Sequence, residues 1–187
     1  MNWMKMRRII LESATIFSVA PVISMFAGLI LNSEFEAFTR LPILLAFAPL
    51  LNGLAGDFGT IICSKISTSL HLGIISPKFE RSPVLKTYVV ANLLATTLSI
   101  IYICFILKFL SSFLGLGEVH ILSFLLVGLL SSLIIIGIIS SSSIIIAFIS
   151  YSRGLDPANV AFPIVTAIGD LSGAGSLILV ARLIGLI

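Results

Sequence analysis

The sequence predicts an all-α integral membrane protein with five transmembrane helices, the N-terminus in the cytoplasm and the C-terminus outside. Three observations predict it. The chain is 58% hydrophobic and only 10% charged, against roughly 25% charged residues in an average soluble domain, and its mean hydropathy is +1.21. Five apolar runs are each long enough to cross a bilayer, which takes about 20 mostly apolar residues. Lysine and arginine collect in alternate connections.

The runs cover about 9–31, 41–63, 84–110, 121–150 and 158–187. The first follows Lys5, Arg7 and Arg8, a basic head that also suits a signal peptide. It is long for a signal-peptide core and is interrupted by Glu12 and Pro21, so it is read as a span. The first four runs are joined in turn by SEFEAFTR, SKISTSLHLGIISPKFERSP and SSFLGLGEVH, and the fifth follows YSRGLDP. None of these connections has room for a soluble domain, so 1–187 is expected to be a single membrane domain.

Orientation follows from the tendency of Lys and Arg to stay in cytoplasmic loops. An inside N-terminus puts Lys5, Arg7, Arg8, Lys65, Lys78, Arg81, Lys86 and Arg153 on the cytoplasmic side, leaving Arg40, Lys108 and Arg182 outside. The net charge of +3 then reflects topology and attraction to a lipid surface. With no basic run in the chain, nucleic acid is not an expected partner. The expected location is the cell membrane, in several passes.

Cys63 and Cys104 fall within spans without metal-type spacing and read as small buried hydrophobes. His71 and His120 lie in or beside loops and read as solvated. Ser140 to Ser143 in the fourth span, and Asn92 in the third, read as helix-packing residues whose polar groups bond to backbone.

Two residues resist that reading. A charged group near the bilayer centre costs about 2.5 to 3.5 kcal/mol on insertion scales, so an acid within a span calls for a function. Asp57 lies in PLLNGLAGDFGT and Asp170 in PIVTAIGDLSGAG. Each follows a glycine, and each has a proline about two turns earlier. The spans that carry them run in opposite directions, as an inverted pair of broken helices would. Proline cannot donate to the carbonyl four residues back, so Pro163 should free the carbonyl of Asn159. Gly169-x-x-x-Gly173 fits either irregular backbone or close helix packing.

No basic residue lies in the core of any span to neutralise these acids, and Lys65 can reach the interface beyond Asp57. Unpaired carboxylates in low dielectric take up a proton or a cation. Magnesium is held by oxygen, commonly by one or two carboxylates with retained waters. Asn52, Thr60 and Thr166 add neutral oxygens near the acids, and no His or Cys stands beside them to favour zinc or copper. The candidate metal site is therefore Asp170, Asp57, Asn52, Thr166 and Thr60. Glu12 lies near the cytoplasmic end of the first span, where an exposed carboxylate costs little.

Two blocks of the chain resemble the MgtE and solute carrier family 41 magnesium transporters. The first is PLLNGLAGDFGTIICSKISTSLHLG, similar to the family's proline, glycine-acid or glycine-asparagine centre and Ser-basic-Leu-Ser-Thr tail. The second is GLDPANVAFPIVTAIGDLSG, similar to its Asp-Pro lead into the last span followed by Pro, Thr and Gly-Asp. The resemblance implies that Asp170 coordinates magnesium in the pore and that Asp57 occupies the second-span acid or amide position, where bacterial MgtE proteins tend to carry asparagine. It also implies a homodimer, since solute carrier family 41 chains contain two such units. About eight residues precede the first span, so the cytoplasmic magnesium-sensing and CBS domains of bacterial MgtE are not expected.

The expected function is divalent-cation transport, most specifically of magnesium, along an acidic path at a homodimer interface, with sodium or protons as the candidate coupling ions. No enzymatic activity is expected. Two other functions compete. An intramembrane aspartyl protease would also use two membrane aspartates, but neither Gly53-Leu-Ala-Gly56-Asp57 nor Ala167-Ile-Gly169-Asp170 gives that family's Gly-x-Gly-Asp. A non-transporting assembly subunit would leave the acids unexplained.

Overall fold

The computed structural model describes residues 3–76, 82–115 and 119–187, and among these the secondary structure is entirely helical. Lys78 and Arg81, and the side chains of Lys5, Arg8 and Glu12, lie outside the described residues. The elements are α1 (Trp3–Ser33), α2 (Phe35–Arg40), α3 (Pro42–His71), α4 (Pro83–Leu114), α5 (Ile121–Ser152) and α6 (Pro157–Leu183). All but α2 contain a stretch long and apolar enough to cross a membrane. Prolines open α3, α4 and α6, where a missing N–H costs nothing because the first turn has no partner for it. At its far end α4 stops at Gly115, whose φ of 64° lets its N–H turn back to the Ser111 carbonyl.

Successive long helices run antiparallel, as side-chain pairs at the two ends of the bundle record. At one end the ring of Phe47 at the start of α3 lies 4.9 Å from that of Phe124 at the start of α5. Glu34, just after α1, forms an ion pair there with Arg182 near the end of α6. At the other end Ser69 of α3 bonds Tyr88 of α4 at 2.9 Å, and Tyr151 of α5 donates to the Leu70 carbonyl at 3.3 Å.

Three features depart from the sequence reading. The second helix continues two turns past Cys63 through SKISTSLH, because Ile66, Ser67, Ser69 and Leu70 are buried and the two tyrosines supply partners for its polar groups. His71 is the last residue of this helix, its ring edge-on to Tyr151 with centroids 5.2 Å apart. The connection SEFEAFTR folds into α2, pinned by the buried Phe38. Finally, α3 and α6 are not broken: both remain α-helical through Pro49 and Pro163. A proline inside a helix removes one hydrogen bond and bends the axis, and neighbouring helices can hold the two halves together.

Helix α6 is the most buried of the five spans and α1 the least. The former packs against α1, α3 and α5, while α4 is held by α3 and α5. Lipid tails are as apolar as leucine, so association in a bilayer relies on close packing and hydrogen bonds between helices. Both occur here. A β-carbon on Gly128 of α5 would stand 2.8 Å from Cys104 Sγ and 3.0 Å from Ile100 of α4, so glycine allows these helices to touch. Asn92 of α4 donates to the Phe58 carbonyl of α3 at 3.0 Å, and Ser143 of α5 to the Gly59 carbonyl at 3.4 Å. Asn92 and Ser143 thus act as packing residues, and Cys63 and Cys104 are buried free thiols. Outward, α4 presents Leu94, Leu98, Tyr102, Phe105 and Phe109, one stripe at helical spacing suited to lipid.

Candidate cation site

Helices α3 and α6 come together backbone to backbone near the midpoint of each. A β-carbon on Gly169 would lie 3.0 Å from the backbone nitrogen of Gly56 and 3.2 Å from the carbonyl carbon of Ala55. Further along the crossing, one on Gly173 would overlap Asn52 Oδ1, and one on Gly59 would overlap Val165. Gly169-x-x-x-Gly173 therefore packs against α3, with no irregular backbone.

This contact fixes where the acids stand. Asp57 follows Gly56 and Asp170 follows Gly169. One residue turns an α-helix by about 100°, and in an antiparallel pair that step carries both side chains to the same flank. Thr166, whose methyl carbon would be 3.3 Å from a β-carbon on Gly56, lies across the contact from α3.

The five predicted site residues differ in surroundings. Asp170 is half-buried, and its Oδ2 accepts a 2.6 Å hydrogen bond from Ser24 of α1. Asp57 is exposed, and its carboxylate has no hydrogen-bond donor among the described residues. Thr60 donates its hydroxyl to the Asp57 carbonyl at 3.1 Å and Thr166 to the Phe162 carbonyl at 3.0 Å, which leaves the oxygen lone pairs of both free. Asn52 Oδ1 is buried without a hydrogen-bond partner among the described residues, a costly state for an amide oxygen. No hydrogen bond joins the two carboxylates, and among the described residues no three His, Cys, Asp or Glu side chains form a group able to hold a metal. One chain therefore offers two acids and neutral oxygens on a shared helix pair, without a closed cage of acidic ligands.

Ser24 is the residue that the sequence reading missed. Among the described residues of α1, Ala20 and Ala27 are buried, and with Ser24 they form a seam of small side chains at one-turn spacing against α6. Thr15, Ser18 and Ser33 on the same helix donate to carbonyls three or four residues back, whereas Ser24 reaches across to an acid. Only the small-residue spacing was visible in the sequence.

Five apolar helices, with acids in the middle of two of them, define a multi-pass helical membrane protein. Residues 48–180 match the MgtE family model, described as a divalent cation transporter. The match covers most of the chain and includes both acids, and the chain belongs to this family. Its members are transporters of divalent cations, and α1 lies ahead of the matched residues.

Proposed function

We propose that this protein moves magnesium across the cell membrane along the α3–α6 pair, with Asp170 and Asp57 as the carboxylates that meet the ion. The supporting observation is the Gly56–Gly169 contact, after which each helix carries an acid to the same flank at mid-span. Magnesium gives up water reluctantly and commonly takes one or two carboxylates plus retained waters. Two acids with free oxygens on Thr60 and Thr166 match that habit better than the nitrogen- and sulfur-rich sets of zinc or copper; Asn52 Oδ1, buried against Gly173, would have to turn outward to join them.

A second copy of the chain completes the path in this reading. Asp57 is exposed at mid-span on a face that also exposes Gly53 and Ser64, and a carboxylate facing lipid there is costly. A homodimer with its axis along the membrane normal would cover that face and bring together two copies of each acid. Four carboxylates would repel anions and draw in divalent cations. We read 1–187 as one membrane domain with its N-terminus in the cytoplasm, on the distribution of lysine and arginine.

The test is magnesium uptake into proteoliposomes by the native protein and Asp170→Asn, with zinc, calcium and manganese as competitors. Loss of uptake in the variant, and competition ranked by ion, are expected. Native uptake by the variant would remove the mechanism. Repeating the assay with sodium or proton gradients separates a channel from a coupled carrier.

A further inference from the structure

We infer that Ser24 of α1 is a positioning residue for Asp170, and that α1 thereby tunes how tightly the path holds its cation. The inference rests on the reading of Asp170 as a residue that meets the ion.

The Ser24 hydroxyl donates to Asp170 Oδ2 at 2.6 Å, the short range of a bond to an ionised acceptor. An ionised carboxylate offers about four lone-pair sites on its two oxygens. Ser24 takes one and leaves Oδ1 and the rest of Oδ2 for water or a cation, while limiting rotation of the carboxyl group. The serine is well placed for this, between the buried Ala20 and Ala27. Three residues before it, Pro21 removes the N–H that would have bonded the Phe17 carbonyl, and Phe17, Pro21 and Ser24 line an open surface groove of about 500 Å³ shared with Pro163 and Thr166 of α6. The hydroxyl thus stands beside open space that also reaches Thr166, a proposed site residue. Ser18, by contrast, returns its hydroxyl to the Ala14 carbonyl. Because α1 precedes residues 48–180, the serine of this contact lies outside the part of the chain that matches the family, while its acid lies within it.

The experiment measures initial magnesium uptake against magnesium concentration in proteoliposomes containing the full chain. The set is native protein, Ser24→Ala, Ser24→Thr, Ser18→Ala and Asp170→Asn. Ser24→Ala should raise the half-saturating concentration roughly tenfold, the low end of the loss seen when a residue supporting a metal ligand is removed, and leave the maximal rate within about twofold of native. Ser24→Thr keeps the donor and should return half-saturation to near native, and Ser18→Ala should be native throughout. If Ser24→Ala does not assemble, Ser24→Cys keeps the shape with a much weaker donor and should show the same rise. Native half-saturation in Ser24→Ala, or equal weakening in the Ala and Thr variants, would overturn the role of Ser24 while Asp170→Asn still lowers uptake. Native uptake by Asp170→Asn would instead overturn the reading of the site on which this role rests.

Discussion

Gly173 of α6 packs so closely under Asn52 of α3 that a β-carbon at Gly173 would overlap Asn52 Oδ1. The same oxygen is buried with no hydrogen-bond partner among the described residues. The helix crossing thus depends on a missing side chain on one helix and holds an unsatisfied polar atom on the other. Gly173→Ala should push the Asn52 amide aside and destabilise the bundle by about 1 to 3 kcal/mol, the usual range for overpacking. Removing the obstacle with Asn52→Ala should recover most of that loss, making the pair strongly non-additive. Thermal unfolding of the two single variants and the double variant in detergent measures it. Additive losses would place the strain elsewhere.

The two acids should not be equivalent. Asp170 is half-buried and hydrogen-bonded by Ser24, whereas Asp57 is exposed and its carboxylate has no donor among the described residues. A fixed carboxylate is the better ion ligand, because less freedom is lost when the ion arrives. Asp170→Asn should therefore lower magnesium uptake by roughly tenfold or more, equivalent to about 1.4 kcal/mol, and Asp57→Asn by less. Uptake rates at a fixed magnesium concentration, corrected for protein inserted, decide the order. A larger loss in Asp57→Asn would reverse these roles.

The Glu34–Arg182 ion pair ties the end of α1 to the end of α6, but the arginine side chain is 61% exposed. Such pairs contribute little, since water screens the charges and two long side chains lose freedom. Arg182→Gln should change stability by less than about 1 kcal/mol. A loss well above that in a detergent melting curve would show that α1 depends on this tie more than on its small-residue seam.

What the sequence reveals depends on whether the signal is local. Length and hydropathy are local, so five spans could be counted, and the cost of an acid at mid-span made Asp57 and Asp170 conspicuous. Hydropathy could not find the last two turns of α3, because Ser67 and Ser69 look like loop residues until the bundle buries them. Nor could the sequence separate Ser24 from Ser18: both are serines in an apolar helix, and only the position of α6 decides which one meets an acid. The expectation of broken helices failed for a related reason. Pro49 and Pro163 each remove a hydrogen bond, but whether a helix breaks depends on the packing around it, and here the Gly56–Gly169 contact holds both helices together at mid-span.

The exposed face of α3 provides the test of assembly. If a second copy covers Asp57, residues one turn to either side of it should approach their counterparts across the two-fold axis. Gly53 suits a cysteine, since a β-carbon there meets nothing within 4 Å, and Ile61 is exposed on the same stretch. Gly53→Cys and Ile61→Cys should each form cross-linked dimers under mild oxidation in membranes. Leu98→Cys, on the outward stripe of α4, should not. The native Cys63 and Cys104 are buried, so the unmodified protein should stay monomeric on a denaturing gel. Cross-linking through Leu98→Cys but through neither α3 position would put the interface on another face and leave Asp57 outside any shared path.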